Sequence, residues 1–136
     1  MRTSLLFFTF ISICFYSCSN DNSEPNPLIN TGIIGEWKIN SRGIDNTSST
    51  EVVCCETLIF TDNDNDKDYI GYYTFIYEEE YYGAFTLNTE NNTIAFTNGN
   101  GNINTETFSL TDNTLELWYY ENENRHWTIY TKVIDE

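Results

Sequence analysis

Four aspartates alternate through one short stretch: Asp62, Asp64, Asp66 and Asp68. Hard cations such as Ca²⁺ take several oxygen ligands at once, so this run is the natural candidate for a metal loop. An EF-hand loop starting at Asp62 needs glycine at its sixth position and glutamate at its twelfth. Lys67 and Tyr73 stand there instead. The run is therefore expected to be a solvated hairpin loop whose acids spread apart, with an irregular Ca²⁺ site as the weaker alternative. Glu78, Glu79 and Glu80 also adjoin one another. Glycoside hydrolysis needs two carboxyl groups facing each other across a sugar ring, and neighbours in one turn point apart. Cys54 and Cys55 are adjacent. Successive strand residues point to opposite faces, so a bond between them requires a distorted turn. Two free thiols, a vicinal disulfide and an intermolecular bond all stay open. His126 is the sole histidine. Two adjacent cysteines and one histidine cannot surround a tetrahedral zinc, and His126 is expected to be an exposed strand residue. A Ser-His-Asp arrangement would have to recruit it, and the chain has no Gly-x-Ser-x-Gly elbow. Asn98-Gly99-Asn100-Gly101-Asn102 reads as a turn rather than a phosphate loop. No catalytic residue and no cofactor is expected, so the chain is not expected to be an enzyme.

These residues must be positioned by a chain of 136 residues, enough for one domain. Its 21 acidic and 6 basic residues give a net charge of −15. Such a surface repels phosphate backbones and anionic headgroups, so nucleic acid is excluded as a partner and a membrane needs another means of attachment. Aromatic residues make up 16% of the chain, which argues against disorder. The 18 asparagines sit between Tyr, Phe and Ile runs, the composition of short strands joined by turns.

Residues 1–17 read as a signal. Arg2 precedes an apolar run from Leu5 to Tyr16, the length of a signal-peptide core and too short to span a bilayer. The run ends at Ser17-Cys18 and turns polar at once. This junction resembles the lipobox of bacterial lipoproteins, in which the cysteine is acylated and the chain is cut before it. The Ser-rich, acidic residues that follow resemble the export signal of Bacteroidota surface lipoproteins. The resemblance implies a lipid on Cys18 and an outer-membrane, surface-facing location. Residues 18–32 are then the lipidated cysteine and a tether, leaving a domain over residues 33–136.

That domain reads as all-β. Short aromatic or β-branched runs alternate with Asn/Asp/Gly turns, and no long stretch keeps a helical period. Eight strands are expected, at Ile34–Gly43, Val52–Thr61, Tyr69–Tyr77, Tyr81–Asn88, Thr93–Thr97, Ile103–Leu110, Thr114–Glu121 and Trp127–Val133. A period of two puts Trp37 with Ile39, Leu58 with Phe60, Phe85 with Leu87, Ile94 with Phe96, Phe108 with Leu110 and Leu115 with Leu117 on the inner face. Trp118 falls on the outer face. Tyr72 and Tyr73 point oppositely, so part of the aromatic set must lie outside, paired across strands. Short connections favour an antiparallel meander, and eight such strands can close into a barrel that removes the sheet edges.

Ile33-Ile34-Gly35-Glu36-Trp37-Lys38-Ile39 resembles the Gly-x-Trp opening of lipocalins, and in particular that of short lipocalin-like lipoproteins of Bacteroidota. Cys55–Thr61, Gly83–Leu87, Phe108–Leu117 and a closing aromatic strand to Lys132 continue the likeness in order. The resemblance implies an up-and-down barrel that binds a small hydrophobic ligand and carries no catalytic set. In that reading Trp37, Ile39, Leu58, Phe60, Phe85, Leu87 and Phe96 line the ligand site. The alternative is an accessory protein of a surface complex, with a filled barrel and outer Tyr/Trp patches for glycan or protein contacts.

Overall fold

The computed structural model describes residues 26–50, 54–64 and 68–134. The signal, Cys18 and Asp66 lie outside the described residues. A single turn of helix, α1 (Pro27–Asn30), precedes nine strands: β1 (Gly35–Ile44), β2 (Thr47–Ser48), β3 (Thr57–Asp62), β4 (Ile70–Ile76), β5 (Glu80–Asn88), β6 (Thr93–Asn98), β7 (Ile103–Thr111), β8 (Thr114–Glu121) and β9 (Asn124–Lys132). From β3 onward each strand pairs antiparallel with the next, β3 also pairs with β1, and β1 pairs with β9. Eight long strands thus close an up-and-down barrel, and β2 is a two-residue extension hydrogen-bonded to the end of β1.

The strand register follows from burial on one face. Trp37 lies opposite Leu58, Phe60 opposite Tyr73, Phe85 opposite Phe96, and Phe108 opposite Leu117. Trp37, Phe60, Phe85, Ile94 and Leu115 are fully buried. At about 1.5–3 kcal/mol for each large side chain, this inner face fixes the register, because a slip of one residue would turn it to solvent. Gly71 and Gly83 also point inward. A Cβ on Gly71 would stand 2.6 Å from the Phe85 ring, and one on Gly83 would stand 2.6 Å from the Tyr73 ring. Each glycine therefore leaves room for an aromatic ring laid against a neighbouring strand.

Three expectations are corrected. Residues 26–32, assigned to the tether, pack against the domain: Leu28 is fully buried at one end of the barrel, together with Ile33, the first residue of the expected domain. The Asn26 side chain caps α1, accepting from the Leu28 amide at 2.9 Å, and its Nδ2 donates to Asp62 at 2.7 Å. Of the second expected strand, Val52–Thr61, residues 52 and 53 lie outside the described residues, and β3 starts at Thr57, after a vicinal disulfide of Cys54 and Cys55 in which Cys55 adopts a φ of +74°. Finally, the last strand begins at Asn124 rather than Trp127, since its hairpin with β8 is closed by the two-residue turn Asn122-Glu123.

Candidate functional site

The barrel is closed at one end and open at the other. The closed end is built by Trp37, whose indole N–H donates to the Ile33 carbonyl at 2.7 Å. Lys132 crosses above its ring at 5.2 Å and donates to the Gly32 carbonyl at 2.7 Å, so the segment carrying Leu28 and Ile33 is fastened across this end. Above it Phe60 meets Phe85 edge-on at 4.8 Å and lies 6.2 Å from Phe96, which in turn meets Tyr73 at 5.1 Å. This aromatic stack is the floor of a cavity of about 610 Å³ that opens at the other end.

The cavity wall is mixed. Leu58, Tyr73, Phe75, Phe96 and Leu117 supply its apolar part. Arg42, Glu106, Asn104, Asn98, Thr128 and His126 supply its polar part. Arg42 arrives there through an irregularity in β1. Ile39 faces Tyr130, but the pairing shifts between Ile39 and Ser41, so Arg42 opposes Thr128 and Ile44 opposes His126. The bulge exchanges the two faces of the strand and turns a guanidinium into the barrel. Arg42 forms an ion pair with Glu56, a buried carboxylate that also accepts from the Tyr130 hydroxyl at 2.6 Å. Burial and the adjoining Glu56 charge push the Tyr130 phenol far above its usual range, so it stays a donor.

Glu106 reaches the same cavity from β7, opposite the inward Ile94. Asn104 donates to its Oε1 at 2.9 Å. Burial holds its carboxyl above the ordinary carboxylate range, and the Asn104 hydrogen bond partly opposes that shift. His126 is not the exposed residue expected. It is half-buried at the cavity mouth, stacked on Tyr119 at 5.0 Å, with Nε2 3.7 Å from the Glu121 carboxylate.

The seven residues expected to line the site fall into two groups. Leu58 and Phe96 line the cavity. Trp37, Phe60, Phe85 and Leu87 are buried in the floor beneath it, and Ile39 packs against that core. The inner face is as expected, but the open space lies nearer the mouth. The residues missed are Tyr73, Phe75, Arg42, Glu56, Glu106 and Tyr130. Glu106 was within reach of strand alternation, since Asn104, Glu106, Phe108 and Leu110 share one parity. Arg42 was not, because the bulge hides its facing.

The aspartate run does local work. Asp62 is tied to Asn26, and Asp68 accepts from the Ile70 amide at 3.0 Å and from Asn63 at 3.4 Å. Among the described residues no group of three or more His, Cys, Asp or Glu is arranged to hold a metal. Trp118 lies on the outer face, with the Arg125 guanidinium 4.6 Å from its ring and Arg125 paired to Glu116 at 2.9 Å.

A closed antiparallel barrel with a floor, a mouth and an internal cavity defines a class of architecture that can hold one small ligand. The lipocalin-like domain matches residues 33–117, more than half of the sequence, and the chain belongs to that family. Searches of curated proteins and of solved structures found no significant match.

Proposed function

We propose that the protein takes a small apolar or amphipathic molecule into the open end of its barrel, without transforming it, and is held outside the cytoplasm by a lipid on Cys18. The observation that carries the binding half is the cavity of about 610 Å³ above the Phe60–Phe85–Phe96 stack. Ligand pockets typically run about 300–1,000 Å³, apolar with a few placed polar groups. Binding rather than catalysis fits the polar groups, since Glu56 is occupied by Arg42 and Tyr130. The anchoring half rests on the Leu5–Tyr16 run ending at Ser17-Cys18. The accessory-subunit reading has one observation in its favour: Tyr72, Tyr82 and Tyr120 expose 56%, 60% and 68% of their surface. It supposed a filled barrel, and the cavity favours the first reading.

Native mass spectrometry of the purified protein, with titration by the neutral fluorophore N-phenyl-1-naphthylamine, tests the binding half. One equivalent of bound probe, or a copurified small molecule as added mass, is expected. Neither, with the protein folded, returns the filled-barrel reading. Metabolic labelling with a fatty-acid analogue tests the anchor: Cys18→Ala is expected to abolish labelling, and equal labelling of both proteins defeats the lipid assignment.

A further inference from the structure

The ligand-binding reading leaves open which head group the cavity selects, and the charges facing it are not balanced. Arg42 is neutralised by Glu56, whose carboxylate is further engaged by Tyr130. Glu106 has no such partner. Asn104 bonds its Oε1, and among the described residues no hydrogen bond or ion pair reaches its Oε2. Among the described residues Arg42 is the one lysine or arginine on the cavity wall, and His126 at the rim stands beside Glu121. The turns around the mouth add Asp45, Glu78, Glu79, Glu80, Glu121 and Glu123, while Arg125 is directed outward to Glu116.

We propose, resting on that reading, that the cavity is a site for a cationic amphiphile: an ammonium head seated on Glu106, with an apolar body against Leu58, Phe75, Phe96 and Leu117. A carboxylate partly removed from water lacks compensation until a cation joins it, and its raised protonation range reflects that deficit. An anionic head, by contrast, would find the Arg42 charge already offset by Glu56, although the buried Arg42 Nε has no partner, and would meet the Glu106 charge. The acid-rich mouth draws cations toward the opening and repels anions. The selectivity thus comes from one carboxylate without a counter-charge, inside a wall whose one lysine or arginine among the described residues, Arg42, is paired with Glu56.

Three probes sharing one decyl chain separate the head groups: decylamine, decanol and decanoate, each below its micelle concentration, displacing N-phenyl-1-naphthylamine from the full protein. Decylamine is expected to displace it at about tenfold lower concentration than decanol, with decanoate weakest, as for a charge-assisted hydrogen bond in a partly dry site. The preference should persist at about 1 M salt, where long-range attraction to the acidic surface is screened. Glu106→Gln should remove the amine's advantage over decanol. Glu90→Gln, which deletes a charge in the β5–β6 turn at the closed end, should preserve it. Decanol or decanoate binding as tightly as decylamine, or an advantage that survives Glu106→Gln, overturns the cationic site while ligand binding stands. If neither the fluorophore nor any decyl probe binds the folded protein, the binding reading falls and the cationic site with it.

Discussion

The same strands build a dry floor at one end of this barrel and a mixed, hollow chamber at the other. At the floor most inward side chains are large and apolar, and Trp37, Phe60, Phe85, Ile94 and Leu115 are fully buried. Toward the mouth the same faces carry Arg42, Asn98, Asn104, Glu106 and His126. The difference lies in how the interior is filled. Leu28 and Ile33 plug the floor from outside the strand ladder, fastened by Lys132, whereas the cavity lies at the other end. Stability is therefore concentrated at the closed end, and the open end holds the cavity.

The largest effect expected from this division is at Trp37. Trp37→Ala empties a fully buried site and severs the link to Ile33, so it should cost about 3–5 kcal/mol, read as a loss in the urea midpoint. That is a large part of the roughly 5–15 kcal/mol that holds a domain together. Phe96→Ala, at the cavity edge, should cost clearly less, because its site is already open on one side. A Phe96→Ala loss equal to that of Trp37→Ala would mean that the chamber is collapsed in solution and the two ends are alike.

Second in size is Glu56→Ala. The carboxylate is buried and serves two donors, so its loss strands the Tyr130 hydroxyl and leaves Arg42 without a counter-charge. Breaking a buried pair costs about 3–5 kcal/mol, but the Arg42 side chain is 41% exposed and water takes up part of the loss. A destabilisation of about 2 kcal/mol is expected, smaller in Glu56→Gln, whose amide oxygen still accepts. A negligible change in both variants would show that the polar half contributes nothing to the fold.

The difference between the ends also explains what the sequence made legible. Alternation from Trp37 to Leu117 places the inner face correctly on six strands, because at each pair burial of two apolar residues outweighs other preferences. It stops where the chain departs from a period of two. The irregularity after Ile39 exchanges the faces of β1, and with them the role of Arg42. The bond between Cys54 and Cys55 shortens the second strand and delivers Glu56 to the interior. Residues 26–32 have the polar composition of a tether, yet one apolar side chain, Leu28, joins Ile33 of the expected domain in plugging the barrel end. Which inner residues border empty space depends on how far the floor rises, a property of packing that no pattern of residue types contains.

A smaller effect is expected outside the barrel. Trp118→Ala removes the surface on which Arg125 stacks, and Arg125 keeps its Glu116 partner. Exposed cation–π contacts are worth about 0.5–1 kcal/mol, and the loss should be near the upper end once the partly buried ring is counted. If Trp118→Ala proved costlier than Trp37→Ala, the inner and outer faces would be exchanged and the cavity lining would fall with them.

The smallest change, and the one with an unusual sign, belongs to Glu106→Gln. Burial raises the Glu106 carboxyl above its ordinary range. At acid pH, below the unfolded-state value, the group is protonated in both states and costs nothing. As pH rises, the unfolded chain releases its proton first, the native state binds more protons, and stability falls until the native carboxyl has also ionised. The amide introduced by the substitution stays neutral throughout. The variant should therefore match the wild type near pH 4 and exceed it slightly at pH 7, measured as urea midpoints in the absence of ligand. Decylamine should reverse the order at pH 7, because a ligand bound to the native state alone stabilises whichever protein holds it more tightly. A gap between the two proteins that is the same at both pH values would mean that Glu106 is fully hydrated, and the chamber would then lack the unpaired charge that sets it apart from the floor.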